Sequence, residues 1–137
     1  MKYIIVSGGF DPIHSGHLQL IAEAAKFGAV GVFLNSDAWL VRKKKYRFMS
    51  FEERSKVLAS VRNVDLVLPA DDADGTVCAS IMLYKDQIKA FANGGDRIPG
   101  NTPESELCFK LGLPMLFNVG GHKVQSSSKL IEAVVVG

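Results

Sequence analysis

The stretch Val6-Ser7-Gly8-Gly9-Phe10-Asp11-Pro12-Ile13-His14-Ser15-Gly16-His17 decides how the chain is read. Before it runs a short apolar segment, Tyr3 to Ser7, of the kind that forms a buried parallel strand. After Asp11-Pro12 comes a helical pattern from about Ser15 to Phe27, with Leu18, Ile21, Ala22 and Ala25 on one face and Gly28 as its terminator. Strand, glycine turn and helix follow one another within thirty residues, which predicts the first half of a strand–helix–strand unit.

The same alternation continues outward. Ala29 to Leu34 is a second apolar run, and a short helical piece from Asp37 leads into Arg42-Lys43-Lys44-Lys45. Ser50-Phe51-Glu52-Glu53 has capping-box spacing and opens a helix that points Val57, Leu58 and Val61 inward and ends near Asn63. Asp65 to Pro69 reads as a third strand, Asp71 to Gly75 as a turn, Thr76 to Gln87 as a helix and Ile88 to Ala92 as a fourth strand. Thr102-Pro103-Glu104-Ser105-Glu106 combines a cap, a first-turn proline and early acids, so a helix is expected from there to Gly112. Met115 to Val119 is a fifth strand, and Ser126 opens a last helix. The fold class expected is α/β: one Rossmann-like, doubly wound, five-stranded parallel sheet with helices on both faces, a single domain over residues 1–137.

Composition narrows the function. With 47% hydrophobic and 22% charged residues the chain is expected to be globular. Sixteen basic against fourteen acidic residues leave +2, too little for a general nucleic-acid binder. No apolar stretch approaches the ~20 residues of a membrane span, and the first apolar run is too short for a signal peptide. Cys78 and Cys108 sit among apolar residues and read as small buried hydrophobes. A soluble cytoplasmic protein is the expectation.

In a doubly wound sheet, ligands bind at the carboxyl ends of the strands. Gly8 and Gly9 let backbone approach a ligand there, and the amino terminus of the following helix offers free N–H groups to an anion. His14 and His17, three apart, project from nearly one helix face with Gly16 between them, and two imidazoles in that position donate hydrogen bonds to phosphate oxygens. Neither a dinucleotide G-x-G-x-x-G nor a G-K-[ST] loop is present. Taken alone, the stretch also fits a glycine turn with two surface histidines.

G-G-F-D-P-I-H-S-G-H resembles the nucleotidyltransferase superfamily whose signature is H-x-G-H after G-x-F-D, and the length is similar to its small cytidylyltransferase-like group, whose members act on glycerol phosphate, phosphoethanolamine or heptose phosphate. Gln125-Ser126-Ser127-Ser128 stands where that family has its serine/threonine phosphate cradle. Gly94-Gly95-Asp96-Arg97 is similar to its G-G-D motif, and Ser50 to Arg54 to its E-x-R helix. The resemblance implies that His14 and His17 act on the triphosphate with Lys43 and Lys45 of a closing loop. It implies nucleotide contacts from Gly8, Gly9, Phe10, Asp11, Gly16, Asp96, Arg97, Gln125 and Ser126 to Ser128. Arg54 and Arg62 would face the acceptor. Where several members carry an arginine before the serine motif this chain has Gly121, which leaves the acceptor phosphate to His122 or Lys123.

The resemblance further implies transfer of CMP or AMP from an NTP to a small phosphorylated acceptor, with release of pyrophosphate. Mg²⁺ would travel with the NTP, with no direct protein ligand to the metal, and Asp11 would orient the loop or organise that ion indirectly. A homodimer is the family expectation, with no nucleic-acid or membrane partner. Other classes stay open: a regulatory module that binds nucleotide without turning it over, an adenylyltransferase acting on a cofactor precursor, or a structural flavodoxin-like domain.

Overall fold

A computed structural model describes residues 1–94 and 102–119 of the chain. Five strands form one sheet: β1 (Tyr3–Gly8), β2 (Val30–Leu34), β3 (Val64–Pro69), β4 (Ile88–Gly94) and β5 (Met115–Val119). Their order is β3-β2-β1-β4-β5, and every neighbouring pair is parallel. The chain winds outward through β2 and β3, then crosses back to lay β4 on the other side of β1. The β1/β4 boundary is therefore the switch point at whose carboxyl end such sheets open a crevice.

Helices cover both faces, as the alternation required. Along β1, Ile4 and Val6 point to one side and Tyr3 and Ile5 to the other. The first side packs under α1 (Ser15–Ala24) and α3 (Phe51–Ala59), with Ile21, Ala24 and Leu58 fully buried. The second packs under α4 (Cys78–Tyr84) and α5 (Pro103–Leu111), through Phe33, Ile81, Phe91 and Cys108. All five residues of β2 are buried, as befits a strand near the middle of a sheet covered on both faces. Cys78 and Cys108 are free thiols, the second fully buried.

Element types match the sequence pattern, while several boundaries and faces do not. α1 stops at Ala24, because Lys26 and Phe27 donate to carbonyls only three residues back and tighten the chain into a turn. Its buried residues are Ile21 and Ala24; Leu18 is 45% exposed and Ala22 is exposed, so the inward stripe is narrower than expected. α3 ends at Ala59, well before Asn63, and Val57 lies on its outer side. The helix expected over Thr76–Gln87 is split into α4 and a 3-10 turn at Lys85–Gln87. The basic run is helical through Lys44, as the end of α2 (Asp37–Lys44). The helix expected from Ser126 lies outside the described residues. No helix among the described residues is long and apolar enough to cross a membrane.

Candidate active site

The opening motif forms a single cap at the carboxyl end of β1. His14 is the residue before α1, with extended backbone, and its Nδ1 accepts the N–H of Gly16 at 3.1 Å. His17 returns the contact: its Nδ1 accepts the N–H of His14 at 3.1 Å. Two histidines thus play the parts usually taken by serine and glutamate in a capping box. The rings stack, with centroids 3.8 Å apart and planes 20° from parallel, and Phe10 packs on His17 at 4.6 Å.

This geometry has a chemical consequence. An Nδ1 that accepts a backbone N–H carries a lone pair, so in the neutral ring the proton sits on Nε2. Both histidines therefore carry an Nε2–H donor at the amino end of a helix, that of His14 buried within the protein. The first turns of α2, α3 and α5 each contain acidic residues, whereas that of α1, like that of α4, contains none. The positive end of its dipole is left to an anion from elsewhere.

Phe10 is held at φ 49, in the left-handed region, which costs a side chain about 1–2 kcal/mol. Burial of its ring, 4% exposed, offsets that. At Gly9 the approach is close: a Cβ there would stand 2.7 Å from Leu40 Cδ2 and would push that side chain aside. Asp11, joined to Pro12 by a cis peptide, is 2% exposed, and its two carboxylate oxygens accept the N–H groups of Phe48 and Met49 at 2.6 Å each. It thereby ties the loop after the basic run to the histidine motif. Among the described residues no group of three or more His, Cys, Asp or Glu is placed to hold a metal ion.

Arg54 is the second tie. Its side chain is fully buried beside the ring of Phe51. Nε donates to Met49 O at 3.0 Å, Nη1 to Gly9 O and Asn35 O at 2.8 Å each, and Nη2 to Asp37 Oδ1 at 2.7 Å. One guanidinium joins the β1–α1 turn, the β2–α2 turn and the α2–α3 loop. This differs from the acceptor-facing role expected of it, because these donors already serve the protein's own oxygens. Arg62 is exposed in the turn leading into β3, at the amino edge of the sheet, the opposite end from the histidines. It is separated from the motif because α3 returns the chain to that edge before β3 begins.

Lys43 and Lys45 lie at the carboxyl end of α2, both exposed, and Lys45 caps the helix at φ 70. β4 ends at Gly94; Asp96, Arg97, Gly121, His122, Lys123, Gln125, Ser126, Ser127 and Ser128 lie outside the described residues. A crevice of about 70 Å³ opens at the switch point between Ser7 and Gly8 of β1, Asn35, Trp39, Gly75 and Phe91. A larger apolar recess of about 300 Å³ lies by Tyr3, Leu66 and Ile88, away from the motif and toward the strands' amino ends.

Sequence reasoning missed the polar network around Asp72. Its carboxylate accepts from Asn35 Nδ2, Ser36 N and Ser36 Oγ at 2.7–3.0 Å. An acid three residues past an apolar strand was the available signal, but it read as an ordinary turn.

Asp37 shows the electrostatics of this corner. Burial alone would raise its pKa, but hydrogen bonds from Arg54 and Arg47, together with their charges, outweigh burial and hold the carboxyl below its ordinary value. A carboxyl depressed in the folded state contributes stability above its unfolded pKa and loses it as pH falls through the folded value. Thermal melts are expected to lose Tm as pH drops below about 4, and Asp37→Asn should flatten that acid limb. Parallel limbs in the two proteins would show that Asp37 carries none of it.

With this geometry in hand, comparison with known proteins defines the class: the Cytidylyltransferase-like family model matches residues 5–111. The chain belongs to that family. It is 36% identical over 70 residues to a glycerol-3-phosphate cytidylyltransferase of Bacillus subtilis, covering 50% of this chain and 54% of that one. It is 32% identical over 115 residues to the bifunctional protein HldE of Yersinia pestis, covering 81% of this chain and 23% of that one. An FAD synthase of Ferroglobus placidus is 32% identical over 74 residues, with 54% and 49% covered. The chain thus spans about half the length of the first of these relatives. A lipopolysaccharide core biosynthesis protein of Thermoplasma volcanium superposes with a TM-score of 0.68 at 21% identity, covering 85% of this chain and 93% of that one, a likeness of fold.

Proposed function

We propose that the chain transfers a nucleotidyl group, CMP or AMP, from an NTP to a small phosphorylated acceptor and releases pyrophosphate. The observation that carries this reading is the reciprocal cap of His14 and His17, which holds two Nε2–H donors together at an acid-free helix start.

An acceptor phosphate oxygen attacks the α-phosphorus in line, a P–O bond forms to the acceptor, and the bond to pyrophosphate breaks. The acceptor phosphate is already ionised at neutral pH, so no protein nucleophile is needed. Catalysis is then positioning and charge stabilisation. His14 and His17 donate to the triphosphate, and Lys43 and Lys45 offset the charge that builds on the transferred group. Asp96, Arg97 and the Gln125–Ser128 segment complete the nucleotide site, with His122 or Lys123 at the acceptor phosphate. Mg²⁺ arrives on the NTP, whose phosphates supply ligands; Asp11, whose oxygens hold Phe48 and Met49, acts on the loop and not on the ion.

Named cytidylyltransferases among the relatives favour CTP, and named FAD synthases keep ATP and a cofactor precursor as a second reading. The test is a matrix of NTPs against phosphorylated sugars, phospho-alcohols and flavin mononucleotide, followed by pyrophosphate release. Release with one pair and not others identifies the substrates. NTP binding without release across the matrix would overturn the reading in favour of a regulatory module. A homodimer, the state proposed here, should sediment at twice the chain mass.

A further inference from the structure

We infer that Asp72 is a positioning residue for the reaction, aiming the helix that bears Lys43 and Lys45; the inference rests on the nucleotidyl-transfer reading of that site. Asp72 follows β3 and is 4% exposed. Its Oδ2 accepts from Asn35 Nδ2 at 3.0 Å and Ser36 N at 2.8 Å, and its Oδ1 accepts the Ser36 hydroxyl at 2.7 Å. A hydroxyl has one proton. With that proton directed to Asp72, the lone pairs of Ser36 Oγ are free to accept the N–H of Trp39 at 3.0 Å, the capping bond of α2. The carboxylate thereby sets the cap that starts the helix.

The same loop holds the rest of α2. Trp39, Arg42 and Lys43 share one helix face by their spacing. Trp39 Nε1 donates to Gly75 O at 3.2 Å, and Arg42 Nη2 donates to Asp72 O at 2.9 Å. Lys43 Cε lies 3.8 Å from where a Cβ on Gly75 would stand. Within α2 itself, Leu40 is the buried residue. Leu40 and the pair of Asp37 with Arg54 hold α2 elsewhere along its length, and the polar seat on Asp72 to Gly75 holds the face that carries Lys43, so it takes part in setting which way the lysines point.

This placement predicts a particular kinetic signature. The lysines act on charge that develops in the transition state, so a small rotation of α2 lowers kcat more than it raises the KM for NTP. A shift on the order of 1 Å is enough for losses up to about 10²-fold. Asp72→Asn, nearly isosteric, can keep an oxygen on Asn35 Nδ2 and Ser36 N but then turns an amide donor toward the Ser36 hydroxyl, which loses the acceptor for its proton. Trp39 is the chain's one tryptophan, so its emission reports the seat independently of activity.

In Asp72→Asn, a folded protein with kcat lowered at least ~10-fold, KM little changed and red-shifted, more quenchable Trp39 emission is expected. Wild-type kcat and emission in the folded variant, even with a lowered Tm, would overturn the inference. If that variant does not fold, Ser36→Ala breaks the same link while keeping Asn35 and the Ser36 N–H on the carboxylate; wild-type kcat there would overturn it equally. If the wild-type protein releases no pyrophosphate from any substrate pair, the nucleotidyl-transfer reading fails. The Trp39 spectrum then still decides whether Asp72 seats α2, and an unchanged spectrum refutes the seat.

Discussion

His17→Ala is expected to fold and to lose at least ~10²-fold in turnover, the scale of removing one donor that acts on a transition-state oxyanion. The structure shows why the loss exceeds a missing contact. His17 supplies an Nε2–H donor and also, through Nδ1, accepts the His14 N–H, while its ring stacks on His14. Its removal takes the stacking partner from the His14 ring, whose Nδ1 still accepts the Gly16 N–H, so both donors are affected by one substitution. The fold should survive because the lost cap is worth only about 1 kcal/mol and the α1 residues that reach the core, Ile21 and Ala24, lie one and two turns further on. Circular dichroism and a thermal melt establish folding, and pyrophosphate release establishes turnover. Near-normal turnover in the folded variant would rule out the histidines as triphosphate donors.

The parts of this site that the sequence made legible are those a few residues of chain can build. H-S-G-H becomes a reciprocal cap because i, i+3 spacing at a helix start places each ring beside the other's backbone, whatever the rest of the protein does. The five strands were equally readable, since parallel strands covered by helices are apolar runs bounded by glycine, proline and acid, even at the edge, where β3 is only partly buried. What was not legible depends on where the topology returns the chain. Asp72 and Asn35 are 37 residues apart and meet because β3 lies beside β2, a pairing that no local pattern reveals. Val57 and Leu18 fit a helical stripe but face outward, because α3 and α1 each lie on one flat sheet and bury a strip narrower than their periodicity suggested. Arg62 sits near Arg54 in sequence, yet the end of α3 takes it to the far edge of the sheet.

Arg54 carries the other large expected effect, and on stability first. It is a buried cation whose nitrogens reach Gly9 O, Asn35 O, Met49 O and Asp37 from four directions. Removing it leaves the Gly9, Asn35 and Met49 carbonyls short of this donor, at about 1–3 kcal/mol for each group that stays buried, while Asp37, whose side chain is 36% exposed, turns to water. Arg54→Met is therefore expected to lower Tm by roughly 10 to 20 °C in a domain of this size. Arg54→Lys keeps the charge, but one ammonium cannot replace a planar fork aimed at three carbonyls and a carboxylate, so most of the loss should remain. An arginine used mainly to bind an acceptor would behave differently: the lysine variant would melt like wild type and show a raised acceptor KM. Denaturant or thermal unfolding of both variants, beside acceptor titrations of Arg54→Lys, separates the two cases. The structure favours the clamp, because the carbonyl of Gly9 that Arg54 holds lies in the turn that leads to His14, and the carbonyl of Met49 lies in the loop that Asp11 grips from the other side. Loosening it should therefore lower turnover of the protein that stays folded, through displaced histidines and lysines and not through a lost ligand.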